Sequence, residues 1–137
     1  MKLYFDPSAL TKRYISEKGS DQVDRLFLEA DAIVISSIGL PEIISAFSRL
    51  RRENKLNVVS YQKCKKAAIE DFAAFEVCQL SAEVLRTTIH VLEHSELRAA
   101  DALHVASAIN AKVSRFVSSD TKQILTAKEF NLTVDLV

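Results

Sequence analysis

The chain has 137 residues, of which 48% are hydrophobic, and its 18 Lys and Arg balance 18 Asp and Glu. That size and apolar share fit one compact domain, residues 1–137, with a real core. The charge balance excludes a global field that gathers nucleic acid, so any such contact must come from a local patch.

No apolar run reaches the roughly 18 residues that suggest a membrane span, and Asp6 arrives too early for a signal peptide. Cys64 and Cys78 form a lone pair without metal-ligand spacing. The expectation is a cytoplasmic protein with reduced thiols and no membrane partner. Two Gly in the whole chain exclude a glycine-rich nucleotide cradle.

Leu3-Tyr4-Phe5 reads as a buried strand that stops at Asp6-Pro7-Ser8, where Asp6 suits a helix N-cap and Pro7 the first helical position. The helix that follows runs to Ile15 and carries Lys12 and Arg13. Ser20 is the expected cap of a second helix with Val23, Leu26 and Phe27 inside. Ala32 to Ile35 is a continuous apolar run, the mark of a strand covered on both faces. The next helix holds Pro41 in its first turn and buries Ile43, Phe47 and Leu50, which leaves Glu42 on another face. Arg49, Arg51, Arg52 and Lys55 gather at its C-terminal end, where the helix dipole favours cations.

Ser60 is expected to open a helix with Cys64, Ala67, Ala68, Phe72 and Phe75 inside and Lys63, Lys65 and Lys66 outside. A strand from Phe75 to Leu80 follows, then a helix capped by Ser81 with an apolar stripe of Leu85, Ile89 and Leu92. From Ala99 to Ile109 the chain is almost all Ala, Val, Leu and Ile, the pattern of a helix buried on more than one side, and Asp101 is its only acid. Asp101 shares a helix face with Val105 and Ala108, and a buried charge must be paired, metal-bound or neutralised. The bland alternative, an acid favoured by the helix dipole, is worth only about 0.3–1 kcal/mol. Phe116-Val117-Ser118 forms a fourth strand that runs into Asp120, which with Gln123 has the spacing of a capping box for a helix to Phe130. Thr133 to Leu136 ends the chain as an edge strand.

Strands alternating with helices imply an α/β fold with a parallel sheet flanked on both faces. Strand C-termini and helix N-termini then share one edge, which is where Asp6, Glu42 and Asp120 fall. The alternation alone leaves open whether strands one and four are neighbours. If the acids meet, two carboxylates about 4 Å apart repel by roughly 4 kcal/mol at an effective dielectric of about 20, against about 1 kcal/mol for each cap. Protons or a divalent cation must then neutralise the cluster, and an all-oxygen set favours Mg2+ or Mn2+ over zinc. An ion held this way most often serves phosphate chemistry. His104, one turn from Asp101, reads as a core histidine or as support for a ligand. Lys12, Arg13, Arg49, Arg52 and Arg98 are candidates for steering phosphates.

Four segments carry a resemblance: Tyr4-Phe5-Asp6-Pro7-Ser8-Ala9-Leu10, Pro41-Glu42-Ile43, Leu97-Arg98-Ala99-Ala100-Asp101-Ala102-Leu103-His104-Val105-Ala106, and Phe116-Val117-Ser118-Ser119-Asp120. In order and spacing the chain resembles the PIN-domain ribonucleases, specifically the VapC-like toxins of toxin–antitoxin pairs. The resemblance implies a three-layer α/β/α fold with a five-stranded parallel sheet ordered 3-2-1-4-5, which sets strands one and four side by side. It implies that Asp6, Glu42, Asp101 and Asp120 hold Mg2+ or Mn2+ and that Ser8 and Ser118 orient them. It also implies endonucleolytic cleavage of RNA, a small antitoxin partner, a homodimer, and operator DNA contacted only through the antitoxin. Pro7 replaces a small polar residue of the family pattern and Ser118 stands where Thr is common, but no carboxylate is lost.

Two other functions share parts of this pattern. A receiver-like phospho-acceptor domain would need an adjacent acid pair after strand one and an Asp ending strand three, where the chain has Cys78-Gln79-Leu80. A PIN-fold binding module without nuclease activity would use Ile43, Ile44 and Phe47 as a groove for a partner helix.

Overall fold

In the computed structural model, which describes residues 1–137, side chains alternate across the strands and this alternation makes the layers. The elements are β1 (Lys2–Phe5), α1 (Pro7–Tyr14), α2 (Ser20–Glu29), β2 (Ala32–Ser36), α3 (Gly39–Arg52), α4 (Val58–Ala74), β3 (Glu76–Cys78), α5 (Ala82–Glu93), α6 (Ala99–Ala111), β4 (Arg115–Ser118), α7 (Thr121–Glu129) and β5 (Val134–Leu136). Leu3, Phe5, Ile33, Ile35 and Val117 point to one face and pack against α1 to α4. Tyr4, Val34 and Phe116 point to the other and pack against α5, α6 and α7. Tyr4, Phe5, Phe47 and Phe116 are fully buried. Burial of such a side chain contributes about 1.5–3 kcal/mol.

All strand pairs are parallel and the order is β3-β2-β1-β4-β5, as the resemblance implied. β1 and β4 are neighbours, in register Phe5↔Val117, yet α1 leaves β1 toward one face and α7 leaves β4 toward the other. The chain thus parts at the C-terminal ends of β1 and β4, and opens a crevice there. α3 approaches that edge closely: a Cβ on Gly39, in its first turn, would lie 2.5 Å from Ile35 Cδ1.

Four sequence-based expectations are corrected. Asn57, not Ser60, caps α4, accepting a hydrogen bond from the Ser60 amide at 2.8 Å. Ser20 does not cap α2; its hydroxyl donates to the Lys12 carbonyl and accepts from the Glu17 amide, closing the turn at Gly19. α5 is rotated by one residue from the expected stripe: Val84, Thr88 and Val91 are buried, while Leu85 and Ile89 are exposed and only Leu92 of that stripe packs against the core. In addition, β3 is shorter than Phe75 to Leu80, because Phe75 is the C-cap of α4 and packs in the core.

Candidate functional site

Asp6 follows β1 directly and its backbone amide extends the ladder to the Val117 carbonyl at 2.9 Å. It caps α1 as expected, with Oδ2 accepting from the Ser8 amide at 3.0 Å. Its other oxygen, Oδ1, accepts from Gln123 Nε2 at 2.9 Å, so both oxygens are oriented while the residue is 5% exposed. Gln123 itself is fully buried and is held by the Ser118 hydroxyl, which donates to its Oε1 at 2.6 Å; its Nε2 also reaches the Asp101 carbonyl at 3.2 Å. The capping-box expectation is therefore half right. Asp120 Oδ1 accepts from the Lys122 and Gln123 amides, but the Gln123 side chain turns inward to Asp6 instead of back to the cap.

Ser8 and Ser118 occupy the joint between α1 and β4. Their hydroxyls are 3.4 Å apart, Ser8 Oγ accepts from the Ser119 amide, and Ser118 Oγ accepts from the Asp120 amide. These bonds tie the starts of α1 and α7 to one another.

Glu42, in the first turn of α3, accepts from His104 Nε2 at 2.6 Å. The buried imidazole continues inward: its Nδ1 lies 2.7 Å from the Tyr4 hydroxyl, which also accepts from the Ser36 amide. A neutral ring with the proton on Nε2 satisfies all of these, since the Tyr4 hydroxyl then donates to Nδ1 and Nε2 donates to Glu42. Burial alone would push the His104 pKa down, but the Glu42 bond and the charges of Asp6, Glu42 and Asp101 outweigh it and raise it. Burial, with the charges of Asp6 and Cys78, holds the Tyr4 phenol well above its usual range.

Asp101 stands in the first turn of α6, and its carboxylate makes no hydrogen bond or ion pair; only its carbonyl accepts, from Gln123. Burial raises its pKa, and the charges of Asp6, Asp120 and Glu42 raise it further against the opposing effect of His104. Asp6, Glu42 and Asp101 line one cavity of about 400 Å3, together with Ser8 and Arg49. Asp101 also lines a second cavity, of about 350 Å3, with Asp120, Arg98 and Lys122. Asp101 is thus the residue common to both hollows.

No Lys or Arg pairs with any of these four carboxylates; the His104 imidazole is the only basic side chain within ion-pair distance of them. The donor set is hard oxygen and no Lys or Arg is ion-paired to it, which fits Mg2+ or Mn2+ in chemistry. The side chains are not gathered as a closed chelate: no three His, Cys, Asp or Glu groups converge on one point, and Glu42 is turned onto His104.

Of the predicted basic residues, Arg49 and Arg98 line the cavities. Arg13 does not. Its guanidinium pairs with Asp71 at 2.8 Å and lies 3.8 Å over the Phe27 ring, where it braces α1 against α2 and α4. Lys12 is likewise engaged, donating to the Lys18 carbonyl at 2.6 Å and approaching Glu17. Arg52 closes α3 at an exposed position and lines neither cavity. A larger hollow, about 540 Å3 between α1, α2 and α4, lacks free chemistry, since Arg13 and Tyr14 already donate to Asp71. Gln123 and Tyr4, which hold Asp6 and His104 in place, are the residues that sequence reasoning missed. The signal for Gln123 was its place on the inner face of α7 with Ile124 and Ala127, where a polar residue needs a buried partner.

A three-layer α/β/α fold with acidic side chains at the switch between two parallel strands defines a class of proteins that bind ligands at the sheet edge. Within that class the chain belongs to the PIN-domain family, whose pattern it matches over residues 3–129. It is 31% identical over 107 residues to Ribonuclease VapC45 from Mycobacterium tuberculosis, covering 78% of this chain and 74% of that one. Its fold is similar to FitAcB from Neisseria gonorrhoeae, with a TM-score of 0.74 at 15% identity, covering 96% and 95% of the two chains. It is also similar to VapBC-5 from Mycobacterium tuberculosis, a member of the VapBC family of toxin–antitoxin systems, with a TM-score of 0.63 at 14% identity over 99% and 97% of the chains.

Proposed function

We propose that this chain is a metal-dependent endoribonuclease, the toxin of a toxin–antitoxin pair, acting in the cytoplasm on RNA phosphodiester bonds. The observation that carries this reading is the set of four carboxylates at one sheet edge, none of them ion-paired to a Lys or Arg. The PIN-domain membership and the ribonuclease relative support the choice of RNA.

Asp6 and Asp101 are the principal ligands for Mg2+ or Mn2+, with Glu42 and Asp120 completing the set. An ion held by these carboxylates would supply Lewis-acid activation of water and charge stabilisation at the leaving oxygen of a phosphodiester. The chain's own residues set the geometry. Gln123 and the Ser8 amide fix both oxygens of Asp6, and Ser118 fixes Gln123. His104 holds Glu42 at the cavity wall and relays its orientation to Tyr4 in the core. Asp120 keeps one oxygen on the α7 cap and leaves the other for the cavity it shares with Asp101.

The partner is a small antitoxin that inserts a segment near the acids, and the toxin forms a homodimer that meets operator DNA only through that antitoxin. The solved VapBC-5 system supports the pairing. The primary test is cleavage of a single-stranded RNA by purified protein with Mg2+, with EDTA, and with Asp6→Asn and Asp101→Asn. Each acid substitution is expected to cost at least about 100-fold in rate. Equal cleavage by wild type and both variants would refute the assignment.

A further inference from the structure

The second cavity holds two cations that local helix energetics does not explain. Arg98 is the N-cap of α6 and makes no capping bond, although Ser, Thr, Asp or Asn is favoured there. Lys122 sits in the first turn of α7, the end of a helix where a positive charge is disfavoured. Both are exposed, and both line one hollow with Glu96, Asp101 and Asp120. Neither forms an ion pair with any of these acids. Arg49 in the first cavity is equally unpaired beside Asp6, Glu42 and Asp101, although its place in the last turn of α3 already suits the dipole. Local rules broken twice at one site point to a function outside the fold.

We propose that Arg98 and Lys122 form a phosphate-binding subsite that holds the RNA backbone next to the scissile position, with Arg49 taking the backbone on the far side of Asp101. This rests on the nuclease reading above. RNA carries a phosphate at every nucleotide, and the four carboxylates repel each one that approaches. Cations on both flanks offset that repulsion without neutralising the acids themselves. Neither cavity is lined by Phe, Tyr, Trp or His, so no aromatic face stacks a base. The grip is therefore on the backbone, and its affinity depends steeply on salt.

The test measures binding apart from cleavage. A fluorescent single-stranded RNA is titrated into Asp6→Asn protein with Mg2+ present, over a range of salt concentrations, and Arg98→Ala, Lys122→Ala and the double variant are compared in that background. Each single change is expected to weaken binding about 3- to 10-fold at low salt, and the double variant to flatten the log–log salt slope by about 1.4, from roughly 0.7 per lost contact. Lys66→Ala removes the same charge on α4, outside both cavities, and is expected to leave the slope unchanged. Arg98→Ser supplies a capping hydroxyl, so it should raise the Tm while weakening RNA binding, a pairing that a purely structural role for Arg98 does not produce. The proposal is overturned if the double variant keeps the parent affinity and slope, or if Lys66→Ala lowers both as much. Cleavage by the wild type is scored separately: binding that depends on both cations without any cleavage keeps the subsite and removes the nuclease reading, whereas cleavage with indifferent binding does the reverse.

Discussion

At the scale of single residues, Asp101 and Gln123 make opposite contributions. Asp101 is a carboxylate held by nothing, and burial with three neighbouring acids raises its pKa. A raised pKa in the folded state means a contribution to stability that is complete below the ordinary value of 3.8 and is lost as pH rises through the folded value. At neutral pH without divalent ions, Asp101 is thus a liability, and Asp101→Asn should have a higher Tm than wild type, the gap closing as pH falls toward 3.8. Differential scanning fluorimetry in EDTA across that range measures it. Gln123 does the reverse, since its amide links Ser118, Asp6 and the Asp101 carbonyl inside the fold. Gln123→Ala strands those groups; the expected cost is about 1–3 kcal/mol in urea denaturation and about 10- to 100-fold in metal affinity or cleavage. The acids were legible in the sequence because each follows a strand or opens a helix. Gln123 was not, because the spacing of Asp120 and Gln123 has a satisfactory local meaning as a capping box, and only the neighbouring strand β1 brings Asp6 within reach to compete for the amide.

At the scale of elements, α5 shows how periodicity can be right about the helix and wrong about its face. Val84, Thr88 and Val91 have the same i, i+4, i+7 spacing as Leu85, Ile89 and Leu92, one residue earlier along the chain. The larger side chains made the second stripe the natural choice for the interior. The fold chooses the first, because smaller residues let α5 lie close against the Ala-rich surface of α6. Of the second stripe only Leu85 and Ile89 are left exposed, while Leu92 still packs against the core. In the isolated chain at low concentration, Ile89→Ala should change unfolding free energy by less than about 0.5 kcal/mol, whereas Val91→Ala should cost on the order of 2 kcal/mol. Chemical denaturation of both variants decides between the two faces, and the opposite ranking would restore the stripe read from the sequence. Helix starts were less legible for a related reason. Ser20 and Ser60 are good caps in isolation, but Asn57 captures the Ser60 amide from outside and the Ser20 hydroxyl is drawn into the turn before it.

At the scale of the whole molecule, charge is balanced in total and segregated in place. Alternation of strands and helices constrained the class of fold and the handedness of its connections but left the strand order open. The order 3-2-1-4-5 was legible only through the resemblance, and it is this order that joins β1 to β4 and so brings Asp6 to Asp120's edge. A sheet edge that gathers like charges without ion-pairing them to Lys or Arg stores repulsion, and the proposed metal dependence therefore predicts that folding and divalent-ion binding are linked. An ion that binds only the folded chain stabilises it by about 2.7 kcal/mol at 100 times its Kd, which for a domain of this size raises the Tm on the order of 10 °C. Mg2+ and Mn2+ should therefore raise the wild-type Tm in proportion to the logarithm of concentration at saturation. Asp6→Asn and Asp101→Asn should lose most of that rise, and Arg98→Ala should keep it, because its charge lies beside the proposed ligands without being one of them. A wild-type Tm indifferent to millimolar Mg2+ and Mn2+ would mean that the carboxylates are neutralised by protons and by His104, and that the cavity at the sheet edge serves a reaction without a divalent ion.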